Sequence, residues 1–308
     1  MNPFSKFARS FRAFTTELNR RPAPSLPAPY QRPKLGLALG GGFARGIAHI
    51  GVLKVLEEEG IPVDFVAGTS VGAIIGAAYC SGVSARQLEE ISSLVRFRDF
   101  ARWTLSRYGF CNNDRMETFL SRIVRAKTFE ELKTPLAIAA TDFITGEGVV
   151  FRSGPLLGPA RASCAYPGMF LPVELDGRML VDGMLAHAVP TLPLRDMGAD
   201  RVIGVYLSAH WVQLRGPRHL FDVIGQCFSI AQARMTGYWK AYADLVLEPN
   251  VDGFSYDAFD RSGELISVGE ECMRQALPGI RKWMEEPPQA LPQLARGTKA
   301  GSVPAPAA

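Results

Sequence analysis

Apolar positions in this chain follow two alternating rhythms. Short unbroken apolar runs are separated by longer stretches in which apolar residues recur every third or fourth position. The runs predict strands at 35–39, 63–67, 136–141, 149–152, 178–181, 202–207 and 245–247. The longer periods predict helices at 44–59, 70–81, 84–94, 221–242 and 264–284. In the first helix Ile47, Ile50, Leu53 and Leu56 share one face and Glu57, Glu58 and Glu59 lie off it, with Gly60 and Pro62 as the stop. Ser84 is placed as the N-cap of the third. Strand–helix alternation of this kind implies an α/β fold with a mostly parallel central sheet covered on both faces. Between these elements Phe97, Phe100, Trp103, Tyr108 and Phe110 are interleaved with Arg96, Arg98, Arg102 and Arg107. The reading taken is a surface helix that turns its rings inward and solvates its arginines. The competing one is a lid or a lipid-facing segment.

The two ends lack this rhythm. Six prolines lie in residues 1–34 and five from Pro287 onward, so half of the 22 prolines flank the patterned body. Three segments are expected: 1–34, a basic amphipathic segment and Pro-rich linker; 35–286, the folded domain; and 287–308, a disordered tail. Phe4, Phe7, Phe11, Phe14 and Leu18 repeat at helical spacing while Lys6, Arg9 and Arg12 fall elsewhere. Residues 1–25 therefore suit contact with a membrane surface. A disordered tail, a helix docked on its own domain, or an organelle transit peptide fits the same pattern.

Composition sharpens this division. The net charge is +4, but residues 1–34 carry +6, which leaves the body at −2. A basic footprint confined to one tail argues against nucleic acid as partner. With 47% apolar and 21% charged residues the chain buries a core and is not intrinsically disordered. No secretory signal or membrane-spanning run is seen, since the longest candidate, 71–80, is short and interrupted by glycine. A cytoplasmic protein, peripheral to the membrane through residues 1–25, is expected. The five scattered cysteines fit a reducing compartment. No metal site is expected, because the four histidines form no zinc-binding spacing.

Two glycine-bearing turns carry the candidate chemistry. Gly68-Thr69-Ser70-Val71-Gly72 is a G-x-S-x-G motif between a strand and a helix. Gly68 and Gly72 relieve crowding at such an elbow, and Ser70 is exposed at a helix N-terminus that favours a developing alkoxide. Gly40-Gly41-Gly42-Phe43-Ala44-Arg45-Gly46 forms the second turn. It fits neither a dinucleotide fingerprint nor a P-loop, and what remains is a row of backbone N–H groups able to hold an oxyanion. A general base is harder to find. Among the four histidines (His49, His187, His210, His219) the last lies far from the C-terminus, unlike an ordinary α/β-hydrolase histidine. His49 falls inside the first helix and reads as a buried hydrogen-bonding residue. Asp182-Gly183 ends a short apolar run, although Asp-Gly alone is more often a turn.

Taken together and in order, Gly41 to Leu53, Gly68 to Gly72, Arg161-Ala162-Ser163-Cys164-Ala165-Tyr166-Pro167-Gly168-Met169-Phe170 and Asp182-Gly183 resemble the bacterial patatin-like phospholipases. The resemblance spans about residues 34–210. It implies a three-layer α/β/α fold and lipid acyl hydrolysis of phospholipase A or lysophospholipase type, acting on phospholipid or lysophospholipid by a Ser-Asp dyad without a cofactor. On that pattern Ser70 is the nucleophile, Asp182 the base, and the N–H groups of Gly41, Gly42 and Phe43 the oxyanion hole. Arg45 and Gly46 organise the loop. Two positions depart from the pattern: Phe43 stands where a small residue is usual, and Met184 follows Asp182-Gly183 in place of Gly or Ala. Phe43 serves as a donor if it avoids positive φ, and otherwise narrows or lines the acyl pocket. The alternatives are a soluble carboxylesterase or thioesterase on short acyl chains, and a non-catalytic, membrane-associated regulatory protein on a hydrolase fold.

Overall fold

The structure, a computed structural model, describes residues 32–207, 216 and 220–285. The amphipathic segment 1–25 and the tail 287–308 lie outside the described residues. Arg32, expected in the linker, is fastened to the body through two hydrogen bonds to Asp64, at 2.6 and 2.8 Å.

The unbroken apolar runs become the centre of the sheet. β1 (Leu35–Leu39), β2 (Phe65–Thr69), β5 (Leu136–Asp142), β10 (Arg201–Val205) and β11 (Leu245–Leu247) lie parallel in the order β11-β10-β1-β2-β5. β9 (Arg178–Asp182), β8 (Val173–Leu175) and β6 (Gly148–Phe151) extend the sheet antiparallel. Side-chain size alternates with the pleat. Leu35, Leu37, Leu39, Val66, Leu136 and Ile138 enter the large core under α1 (Ala48–Glu58), α2 (Val71–Cys80), α3 (Ala85–Leu94), α4 (Arg115–Ile123) and α8 (Ser262–Glu285). Ala38, Ala67 and Ala137 face a thinner core with Leu194 of α6 (Thr191–Asp196) and Trp239 of α7 (Leu220–Lys240). The result is three layers, α/β/α. Small residues on one face let α6 approach closely, so a Cβ added at Gly36 would lie 2.9 Å from that of Ala199.

Local stop and start signals behave as their chemistry requires. Gly60 follows the first helix at φ 62° and sends its N–H to Glu57 O, 3.1 Å away, ending α1. Ser84 caps α3 in a reciprocal box with Gln87, at 3.3 and 3.1 Å.

One register detail positions the site. β6 pairs with β5 along Ile138 to Thr141, overlapping the ladders of both β2 and β9. β2 and β9 therefore share the other edge of β5 in succession, β2 as far as Ala139 and β9 from Ala140 onward. The end of β2 and the end of β9 meet at that changeover.

The aromatic and arginine stretch is not the surface helix expected for it. Residues 97–99 form a single 3₁₀ turn, and β3 (Arg102–Ser106) and β4 (Gly109–Asn112) make a hairpin. β4 then pairs in parallel with β7 (Gly168–Phe170), next to α5 (Leu157–Ser163). Gly109 at the tip and the alternation of buried Cys111 with exposed Phe110 are strand features. Phe97 and Phe100 do pack inward, whereas Trp103, Tyr108 and Phe110 remain 70%, 60% and 43% exposed.

Candidate active site

β2 runs straight into α2, and Ser70 occupies the single residue between them at φ 55°, ψ −126°. A side chain held there costs about 1–3 kcal/mol, which neighbouring contacts must offset. The flanking glycines make the turn sterically feasible. A Cβ at Gly68 would strike the carbonyl of Gly72, and one at Gly72 would strike the carbonyl of Leu39 at the end of β1. Ser70 O accepts from Ala73 N and Ile74 N, at 2.8 and 3.2 Å, and so begins the helix. Its own N–H donates to Ser163 Oγ at 2.8 Å, and that hydroxyl donates to Ala139 O at 2.6 Å. Ser163, fully buried on α5, thus ties the strained residue to the sheet. The sequence reading included Ser163 in a family motif without assigning it a role.

Asp182 ends β9, fully buried, with its backbone held from both sides: its N–H donates to Ala165 O and its carbonyl accepts from Thr141 Oγ1, each at 2.9 Å. Gly183 lets the chain turn against β5, where a Cβ would meet Ala139 O. Carboxylate Oδ1 accepts from Met184 N at 3.0 Å, whereas Oδ2 has no hydrogen-bond partner among the described residues. Burial raises the carboxyl from its ordinary value near 3.8 to about 7, opposed by the Met184 N–H and by the Ser70 hydroxyl. Ser70 is near enough to favour the carboxylate, yet no Ser70–Asp182 hydrogen bond of normal geometry forms. Unliganded sites commonly tighten such contacts only when substrate binds. The Cys164 thiol, pushed well up by burial and by Asp182, lies on the same hydroxyl.

The glycine loop closes the third side. A Cβ on Gly41 would sit 3.4 Å from Ser70 Cβ, so the loop backbone abuts Ser70. Its three expected donors differ. Gly41 N–H is directed to Ala188 O at a long 3.4 Å, whereas Gly42 N–H meets no acceptor among the described residues. Phe43 takes φ 52°, so the condition of negative φ fails at that position. Its ring packs edge-on against Tyr166 and Tyr256, with centroids 4.9 and 6.0 Å away, and it lines the cavity beside Ser70. Met184 lies beside Gly41, where a loop Cβ would be 3.4 Å from its Cε. Arg45 is buried and donates from Nε to Phe254 O at 2.9 Å, while Ala44 N–H reaches Tyr256 O at 3.0 Å. These bonds fasten the loop to segment 251–256. Burial lowers the Arg45 pKa and the nearby Asp252 opposes that shift. Gly46 admits Val71 of α2, whose methyl groups would strike a Cβ there. His49 Nε2 lies 2.8 Å from Gly40 O, so it is the donor, and burial holds the ring neutral with a pKa lowered to about 4. It braces the loop through Gly40.

From Ser70 an apolar cavity of about 820 Å³, its open mouth included, runs between α2, α3 and α4. Ile74, Leu88, Ile91, Met116, Phe119 and Ile123 are among its walls. A hydroxyl beside a buried carboxylate, an unengaged N–H and an oily cleft can together hold an ester and its acyl chain.

The fold is an α/β fold with a mostly parallel central sheet, and the serine-bearing elbow lies at the end of one of its central strands. The model of the patatin-like phospholipase family matches residues 37–195, and the chain belongs to that family. It is 34% identical over 191 residues to an uncharacterized NTE family protein of Mycobacterium tuberculosis, an alignment covering 57% of this chain and 49% of that protein. It is 32% identical over 228 residues to Lysophospholipase NTE1 of Mycosarcoma maydis, covering 70% of this chain and 12% of that one. The chain thus spans about half the length of the mycobacterial relatives it matches, and far less of the larger ones. Among solved structures VipD from Legionella pneumophila shares the fold, with a TM-score of 0.52 at 14% identity over 80% of this chain and 67% of that one.

Proposed function

We propose that this protein is a serine lipid acyl hydrolase of phospholipase A or lysophospholipase type. The observation that carries this reading is the serine on its strained elbow, set between a fully buried carboxylate and an apolar cavity. Asp182, ionised, accepts the Ser70 proton as Oγ attacks the ester carbonyl of a phospholipid or lysophospholipid. The carbonyl π pair moves to oxygen, where the Gly42 N–H stabilises the charge, and Phe43, at positive φ, lines the acyl cavity instead. Collapse of the tetrahedral species breaks the C–O bond, and the proton passes from Asp182 to the departing alcohol. Water, deprotonated by Asp182, then attacks acyl-Ser70; the fatty acid leaves and Ser70 recovers its proton. The reaction calls for no cofactor. The acyl chain occupies the cavity walled by Ile74, Ile91 and Phe119. Lysophospholipase NTE1, by its name, acts on a lysophospholipid, which supports this choice of substrate class.

No helix among the described residues is long and apolar enough to cross a membrane. Work at a membrane surface, whether or not residues 1–25 take part, belongs to the same reading. Labelling with a fluorophosphonate, mapped by mass spectrometry, is expected at Ser70 and absent in Ser70→Ala. Folded protein that takes no label would leave the non-catalytic regulatory reading. Labelled protein that cleaves only short, soluble esters and no lysophospholipid would leave the esterase or thioesterase reading.

A further inference from the structure

The hairpin that replaced the expected surface helix has two unlike sides. Inward it stands behind the cavity wall without lining it: Cys111 of β4 pairs with Phe170 of β7, and Phe170 lines the cavity that holds Ser70. Phe97, just before the hairpin, stacks within 6.1 Å of Phe170 and 5.4 Å of Phe100, which is a second cavity residue. Outward, Phe97 is also 6.5 Å from Trp103, which is 70% exposed. An unbroken row of rings therefore connects solvent to the acyl cavity.

The exposed end of that row is rich in apolar surface that folding leaves uncovered. Trp103 and Tyr108 protrude from one short hairpin, and Leu94, 76% exposed, immediately precedes the cavity residue Val95. Scattered exposed hydrophobes are ordinary, but Leu94, Trp103 and Tyr108 fall within fifteen residues of chain next to one cavity. The charge along this stretch is one-sided. Arg96, Arg98, Arg102 and Arg107 are exposed against Asp99 alone over residues 94–110. Among the described residues Arg98, Arg102 and Arg107 form no ion pair, and Arg107 lies 4.7 Å over the Tyr108 ring. Tyr and Trp rings with adjoining arginines match a headgroup layer, which is apolar below and anionic at its surface. The body as a whole is slightly acidic, so this local excess is not a by-product of composition.

We propose that the β3–β4 hairpin is the surface by which this protein docks on an anionic lipid bilayer. Trp103 and Tyr108 enter the headgroup layer and Arg98, Arg102 and Arg107 meet lipid phosphates. With the hairpin docked this way, the ring row points from the bilayer toward the cavity. The inference rests on the acyl-hydrolase reading for what docking serves, but docking itself is measured without turnover.

The test uses the full chain carrying Ser70→Ala, so that vesicles survive the assay, and sucrose-loaded phosphatidylcholine vesicles with or without phosphatidylglycerol. Pelleting is expected to require the anionic lipid. Arg102→Gln and Arg107→Gln each weaken it about fivefold; Trp103→Ser and Tyr108→Ser each weaken it roughly tenfold. In the same protein, brominated lipid quenches a tryptophan signal that Trp103→Phe removes. On the Ser70 background the hairpin variants keep their circular dichroism and their hydrolysis of a monomeric short-chain ester, while hydrolysis of vesicle lipid falls. Pelleting that these variants leave unchanged, or quenching that does not depend on Trp103, overturns the proposal. So does a dimer in solution that Trp103→Ser dissociates, because the patch then belongs to a second copy. A protein that docks through Trp103 but takes no fluorophosphonate would remove the hydrolase reading and leave the docking surface standing.

Discussion

Asp182→Asn separates the two consequences of burying a carboxylate at the heart of this fold. In the native protein the group is fully buried and its pKa stands at about 7, against an ordinary value near 3.8 that the unfolded chain retains. Between those values the folded state binds a proton that the unfolded state has released. Stability from this group is therefore complete below about pH 4 and is lost as pH rises through about 7. The slope is about 1.4 kcal/mol per pH unit, so moving from pH 5 to pH 8 costs the wild type about 3 kcal/mol from this group alone. Asparagine carries no proton to lose and still offers Oδ1 to Met184 N–H. Urea titrations of both proteins at pH 5 and pH 8 should show the variant gaining about 3 kcal/mol on the wild type at the higher pH. Turnover moves the other way. The wild-type kcat/KM should fall about tenfold per unit below about pH 7, and the variant should be inactive throughout. If the two stability curves stay parallel from pH 5 to pH 8, Asp182 is not the buried proton acceptor described here.

Two further perturbations test the Ser70 elbow and the cavity beside it. Ser163→Ala removes the hydroxyl that joins Ser70 N–H to Ala139 O and leaves a buried donor unsatisfied; it should cost about 1–3 kcal/mol of stability, lower kcat with little change in KM, and slow fluorophosphonate labelling, and an unchanged kcat would count against Ser163 as a positioning residue. In a series of lysophospholipid acyl lengths kcat/KM should rise about fourfold per methylene until the cavity is full, and Ile74→Phe, which narrows the cavity one turn beyond Ser70, should move the optimum to shorter chains; a flat series would show that the acyl chain lies elsewhere.

The parts of this protein that were legible in its sequence are those governed by local rules. The strand at Leu35–Leu39, the stop at Gly60 and the cap at Ser84 follow from runs, φ preference and side-chain hydrogen bonding within a few residues. The hairpin at 102–112 was not legible, because rings and arginines alternating irregularly suit a helix face as well as a strand. What decides between them is pairing with Gly168–Phe170, some sixty residues away. Several short elements also went unpredicted: α5 and α6 are too short to show a helical period, and α4, although amphipathic, spans only nine residues. The condition on Phe43 turned on a backbone angle, and the compensation for its positive φ comes from Tyr166 and Tyr256, both remote in sequence.

By itself the sequence determined the fold class, the two glycine turns and the residue types able to do acyl chemistry, since each depends on spacing within one strand–turn–helix unit. It also located the charge in the first tail and the near-neutral body behind it. Only the tertiary structure decided where Asp182 stands: β9 takes over the edge of β5 at the residue where β2 leaves it, which brings a carboxylate to a serine 112 residues earlier. The same placement strips that carboxylate of water and raises its pKa. Desolvation is a property of everything packed around a group, and no local pattern of residues encodes it.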